Sequence, residues 1–105
     1  MIARIWHGYT SFNNAPVYED LLRSQIFPSI EEKHVEGYRK ITLLKRILEE
    51  EVEFITIMLF DDLASVKEFA GEDHERSYVP DTARAVLERF DDRAQHYEVL
   101  HEILY

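Results

Sequence analysis

The chain has 105 residues, which is room for one domain and one core, and a single domain over residues 1–105 is expected. Twelve lysines and arginines stand against 21 aspartates and glutamates; the net charge of −9 repels phosphate backbones and anionic bilayers, so no nucleic acid and no membrane partner is expected. There is no cysteine, which excludes disulfides, thiolate metal centres and a cysteine nucleophile. With no leader-like segment and no apolar stretch of membrane-spanning length, the expected setting is cytoplasmic.

Residues 2–9 (IARIWHGY) are β-branched and aromatic-rich, and Gly8 with the Thr-Ser-Phe-Asn-Asn that follows offers a stop, so a first strand is predicted here. Asn13 or Asn14 then suits a helix N-cap, Pro16 the first turn, and Glu19 and Asp20 the positive end of the helix dipole. Val17, Leu21, Leu22, Ile26, Phe27 and Ile30 recur at helical spacing and predict a helix over 14–33. Pro28 lacks an N–H and its ring would crowd the Ser24 carbonyl, so this helix is expected to kink or end there.

After the break at Gly37, residues 38–48 and 52–60 read as two strands joined by a charged turn at Glu49-Glu50-Glu51. The run from Phe54 to Phe60 is apolar on both faces, because successive strand residues point opposite ways; only a central strand covered on both sides tolerates that. Asp61 and Asp62 cap a short helix carrying Leu63, Val66, Phe69 and Ala70, which Gly71 ends. A polar stretch, EDHERSY, leads to Pro80, which is predicted to open another helical piece with Ala83, Val86, Leu87 and Phe90 inward and Asp91-Asp92 at its exit. Residues 96–104 are predicted as the last strand.

The order is βαββαβ with the second helix in two pieces, an α+β ferredoxin-like antiparallel sheet with its helices on one face. An apolar second face needs its own cover, and a second copy of the chain supplies it: a homodimer is expected. Trp6, Phe54, Thr56, Met58 and Phe60, or their opposite-parity neighbours, would line that contact.

The opening strand IARIWHG and the segments GYRKITLLKR, EFITIMLFDDLASVKEFAGED and YVPDTARAVLERFDDRAQHYEV together resemble the dimeric α/β-barrel superfamily, and within it the antibiotic-biosynthesis-monooxygenase-like proteins. The resemblance covers nearly the whole chain. It implies a dimeric α/β barrel and a pocket between sheet and helices where a small aromatic or polyketide-like molecule, such as a phenol, is deprotonated and meets oxygen without a cofactor. The family looks to place aromatic, Asn, Arg and His side chains there. Its haem-degrading branch uses an Asn on the first strand, a Trp ending the third and a His on the second helix. Here the first strand carries Trp6-His7, the third ends in Phe60, and the nearest histidine to that helix is His74.

Three residues are candidates for catalysis. His7 follows Trp6 on a strand, so the two face opposite sides, and a neutral imidazole in an apolar cavity could take a phenol proton; the plainer reading is a hydrogen-bonded strand-end histidine. His74 and Tyr78 are four residues apart, share a face if their stretch is helical, and would sit in a pocket lid; the plainer reading is a solvated connector. His96 and Glu98 form a His-X-Glu pair, but metal binding would need a third ligand such as His7 or Glu102, and neither metal nor cofactor is expected. The leading expectation is a cofactor-independent monooxygenase-like protein. The alternative is a non-catalytic homodimeric module that binds a small ligand or a protein.

Overall fold

The computed structural model describes residues 1–105. Strands β1 (Ile2–Thr10), β2 (Tyr38–Ile47) and β3 (Val52–Phe60) are long; β4 (Arg89–Phe90) and β5 (Gln95–Glu98) are short and both pair with β1. The sheet is antiparallel in the order β2-β3-β1-β4, with β5 on the same edge of β1 as a continuation of β4. This is the ferredoxin-like order, and it places β3 in the centre, as its two-sided apolar run requires.

Register decides what each face holds. Arg4, Trp6, Gly8 and Thr10 of β1 lie opposite Met58, Thr56, Phe54 and Val52 of β3. This even-numbered face takes the helices: Ala15 and Tyr18 of α1 (Ala15–Leu21), Ile30 of α2 (Phe27–Glu32), and Val66 and Phe69 of α3 (Leu63–Ala70) join the strand residues in one core. Phe54 and Phe60 are fully buried, and truncating such a residue typically costs about 3–5 kcal/mol. The odd-numbered face carries Ile5, Ile55, Ile57 and Leu59 with no helix over it, each half-buried.

Local chemistry explains most boundaries. Asp62 caps α3 by accepting hydrogen bonds from Ser65 N (2.9 Å) and Ser65 Oγ, and the β2–β3 turn closes with Leu48 N–H on the Glu51 carbonyl at 2.8 Å. Gly37, at φ 89°, turns the chain into β2; a Cβ there would meet Ser65 Oγ at 2.1 Å, so no side chain fits.

Three expectations need correction. Of the kink or end expected at Pro28, the end does not occur. Leu22–Ile26 widens into a π-helical segment in which Phe27 N–H reaches the Leu22 carbonyl, so α1 and α2 run on as one rod, and the wide turn just ahead of the proline relieves the contact its ring makes in a regular helix. Asn14 does occupy the N-cap of α1, as expected, though its side chain makes no capping bond; Ser11 Oγ accepts from Asn14 N–H at 3.1 Å. The helix after Pro80 is one turn, α4 (Asp81–Arg84), because β1 claims the backbone beyond it: Glu88 N–H donates to the Tyr9 carbonyl, and Phe90 pairs with Gly8. Finally, the last strand ends at Glu98, opposite Ile2, with Val99 N–H on the Met1 carbonyl, and residues 99–105 extend past the ladder.

Candidate functional site

Between the even face of the sheet and the helical rod lies a cavity of about 40 Å³. Arg4, Trp6, Thr56 and Met58 form its floor; Tyr18, Leu22, Ile26 and Ile30 form its roof; Phe69 and the segment Tyr78–Pro80 close one side. The enclosed space holds one or two waters rather than a ring system. The roof over it is the rod that contains the π-helical segment, and such segments recur at functional sites.

Trp6 reaches its place because Gly8, two residues on and on the same face, has no side chain. A Cβ at Gly8 would stand 2.7 Å from Trp6 Cη2, so Gly8 is a seat for the indole rather than the end of a strand. The indole N–H is shared between the Asp91 carbonyl (2.9 Å) and Ser77 Oγ (3.1 Å). Tyr18 is almost fully buried, and burial pushes its phenol pKa up.

Arg4 is the most unusual group. It is 3% exposed, yet no carboxylate lies within ion-pair distance of its guanidinium. Its donors reach the His74 carbonyl, the Arg76 carbonyl (2.7 Å) and His96 Nε2 (3.0 Å), and it stacks 5.5 Å from the Phe69 ring centre. Burial pulls its pKa down to about 10, so it remains a cation at neutral pH. Burial, followed by the nearby Arg4 charge, lowers His96 to about 4 and keeps that imidazole neutral. Since Arg4 donates to Nε2, the ring proton sits on Nδ1, which is buried without a partner.

The sequence candidates separate in space. Tyr78 lines the cavity, against Phe69 (5.4 Å between ring centres) and with its hydroxyl 3.4 Å from Ser29 Oγ. His74 is not part of the cavity lining; its ring lies against His96 at 5.2 Å. The two do not share a helical face, because the segment 71–80 is irregular. Nor is it a free lid: Ala94 N–H donates to the Glu75 carbonyl, Ser77 N–H to the Asp92 carbonyl, and Arg76 bridges to Arg93. His7 has odd parity and stands on the opposite face of the sheet from the cavity, opposite Ile55. Its Nδ1 donates to Asp91 Oδ2 at 2.7 Å, and its backbone N–H donates to the same oxygen at 3.0 Å. Asp91, read as a helix exit, is therefore the clasp that ties both Trp6 and His7 to the sheet edge.

The fold has counterparts among solved structures. A crystal structure from Bacillus cereus, provisionally assigned as an antibiotic biosynthesis monooxygenase, superposes with a TM-score of 0.68 over 99% of this chain and 97% of that one. The two sequences are 11% identical. At that identity the likeness is one of fold. No protein-family model matches the chain, and no curated protein matches it.

His74, Glu75 and His96 offer ligand atoms within 4.8 Å of one another, a set that in other settings holds a metal. The Arg4 cation 3.0 Å from His96 Nε2 works against a dication there, and Glu75 also faces Arg93 at 3.3 Å. The cluster is better read as the cradle of Arg4. Sequence reasoning missed Arg4 and Asp91. A signal for Arg4 was present: it is the one charged residue on the face that Trp6 shares in the strand IARIWHG.

Proposed function

We propose that this chain is a monooxygenase-like protein that binds a small aromatic molecule in the pocket between sheet and helices and oxidises it with dioxygen, without a cofactor. The observation that carries the reading is the position of the cavity: aromatic walls of Trp6, Tyr18, Phe69 and Tyr78 beside one buried cation, in a fold shared with a structure provisionally assigned as an antibiotic biosynthesis monooxygenase. In such a reaction an electron-rich phenolate reduces dioxygen; one oxygen atom enters the ring as a carbonyl and the other leaves as water. Tyr78 is the candidate proton donor or acceptor in the cavity; His74, outside the lining, and His7, on the opposite face of the sheet, would act only on a ligand that reaches them. The enclosed volume requires the helical rod to shift outward for a ring to enter.

The protein is proposed to work as a homodimer through the odd-numbered face. Ile5, Ile55, Ile57 and Leu59 form an apolar strip there, extended by Leu44 and Tyr97, which are 44% and 56% exposed. A second reading, a non-catalytic dimeric module binding a small ligand or a protein, is favoured by one observation: no histidine or carboxylate lines the cavity.

Oxygen uptake over a panel of phenols and hydroquinones separates the two. The oxygenase reading expects uptake above the buffer rate, reduced about 10²-fold or more in Tyr78→Phe. No uptake with any of the panel, in protein shown by binding to hold the compounds, would leave the binding module.

A further inference from the structure

We propose that the pocket takes its ligand as an anion, a planar carboxylate or phenolate whose oxygen is held by Arg4. This rests on the reading above that the cavity binds a small aromatic molecule, and it adds the group that holds the ligand's charge and the carboxylates that group would also accept.

The argument begins with what Arg4 lacks. Arginine is almost never fully buried unless it is paired, because removing a cation from water is costly. Arg4 is buried, and every acceptor it has found is neutral: two main-chain carbonyls and an imidazole. Of the five N–H groups of a guanidinium, those bonds use three, which leaves two. Arg4 also forms part of the cavity wall, so a ligand in the cavity is the group placed to meet it. Two carboxylates of the segment that supplies those carbonyls are engaged elsewhere: Asp73 with Arg93 at 2.6 Å, and Glu75 with Arg93 at 3.3 Å.

The surroundings favour the same sign. In a chain of net charge −9, a groove that shares Phe69, Tyr78, Val79 and Pro80 with the cavity also carries Lys33 and Arg76. Lys33 Nζ lies 5.0 Å from the Tyr78 ring centre and 5.4 Å from that of Phe69. Lys33 and Arg76 in the adjoining groove and Arg4 in the cavity wall gather three cations in one region, which favours an anion there against the overall charge of the protein. The fork of a guanidinium matches the two oxygens of a carboxylate and accepts a single phenolate oxygen as well. The flat walls of Trp6 and Tyr78 suit the ring that carries them once the helical rod has shifted outward to admit it.

Trp6 is the only tryptophan and lines the same cavity, so its fluorescence reports binding directly. The probes are benzoate and benzamide, which share a shape and differ by a charge. The expected result is a saturable change in Trp6 emission with benzoate, at an affinity about tenfold or more above that for benzamide, which weakens as salt is raised. Arg4→Met is expected to abolish the difference between the probes, and Arg4→Lys, which keeps the charge but not the fork, to retain part of it. Equal affinity for the two probes in the wild type would overturn the proposal without any variant. So would a preference for benzoate that survives in a folded Arg4→Met protein. Benzoate binding with no oxygen uptake from any phenol would sink the oxygenase reading and leave this one standing; binding of neither probe would overturn this one while oxygen uptake still judged the other.

Discussion

Replacing Gly8 with alanine is a one-carbon change that should disturb the pocket more than its size suggests. The added Cβ would stand 2.7 and 2.8 Å from two carbons of the Trp6 ring and 3.1 Å from Leu87 Cδ2. Real carbon contacts lie near 3.5–4.0 Å, so the indole must tilt by most of an ångström, and it is held on the far side by the bonds from its N–H to Asp91 and Ser77. Overpacking of this kind costs about 1–3 kcal/mol, and losing the indole hydrogen bond would add about 1 kcal/mol. For a domain of this size that corresponds to a fall in Tm of roughly 5–15 °C. Thermal unfolding followed by circular dichroism measures the loss, and Trp6 emission should shift to the red in the folded variant as water reaches the ring. Gly8→Ala with wild-type Tm and unchanged emission would refute the claim that Gly8 exists to seat the indole. It would also remove the reason for treating Trp6 as a fixed wall of the cavity.

Three further outcomes are expected. His96 has its pKa lowered from 6.5 to about 4 in the folded protein, so between those values the unfolded chain binds more protons and stability falls as pH drops; its contribution is fully present above about pH 6.5 and gone below about pH 4. Allowing for partial exposure, that is worth about 1 kcal/mol, and urea unfolding at about pH 7 and about pH 4.5 should show an acid loss smaller by that amount in His96→Gln; an identical acid loss would contradict the assignment. Asp91→Ala strips the acceptor from the His7 backbone N–H and Nδ1 and should cost about 1–3 kcal/mol by urea denaturation, whereas an unchanged midpoint would mean the clasp is idle. Ile57→Glu, on the uncovered sheet face, should convert a dimer to a folded monomer by sedimentation; a wild-type protein that is already monomeric at all concentrations would dispose of the dimer.

The parts of the fold that could be read from the chain were those where one local pattern had no competitor. The strands around Glu49-Glu50-Glu51 and the two-sided apolar run from Phe54 to Phe60 declared themselves by residue type, and Asp62 by its place before an apolar helical repeat. The rest depended on partners far away in sequence. Residues 85–90 carry a helical apolar pattern, and Ala83, Val86 and Leu87 do pack inward, but the backbone after α4 is captured by Tyr9 and Gly8 some eighty residues earlier. At Pro28 the sequence left a kink and an end undivided, because an inserted π-helical turn leaves no mark in the periodicity of its own segment. Gly8 looked like punctuation because its role is defined by the ring of Trp6, not by its own backbone.

Parity on β1 has a chemical consequence. One residue of register separates a titratable side chain from a permanent cation, and the fold turns Arg4 into the cavity and His7 away from it. On the proposed reading, activation of a phenol then comes from stabilising its anion rather than from a histidine that removes its proton. A cation about 4 Å from a developing phenolate, in surroundings of effective dielectric about 20, is worth roughly 4 kcal/mol, enough to lower the pKa of a bound phenol by up to about three pH units. The acid limb of the rate–pH profile should therefore track the substrate. Across a series of phenols with graded acidity, the midpoint of that limb should move in step with each phenol's own pKa, displaced downward by a constant amount, and Arg4→Lys should reduce the displacement. A midpoint that stays fixed while the substrate pKa varies would point to an ionising group on the protein, and the argument from Arg4 would fail.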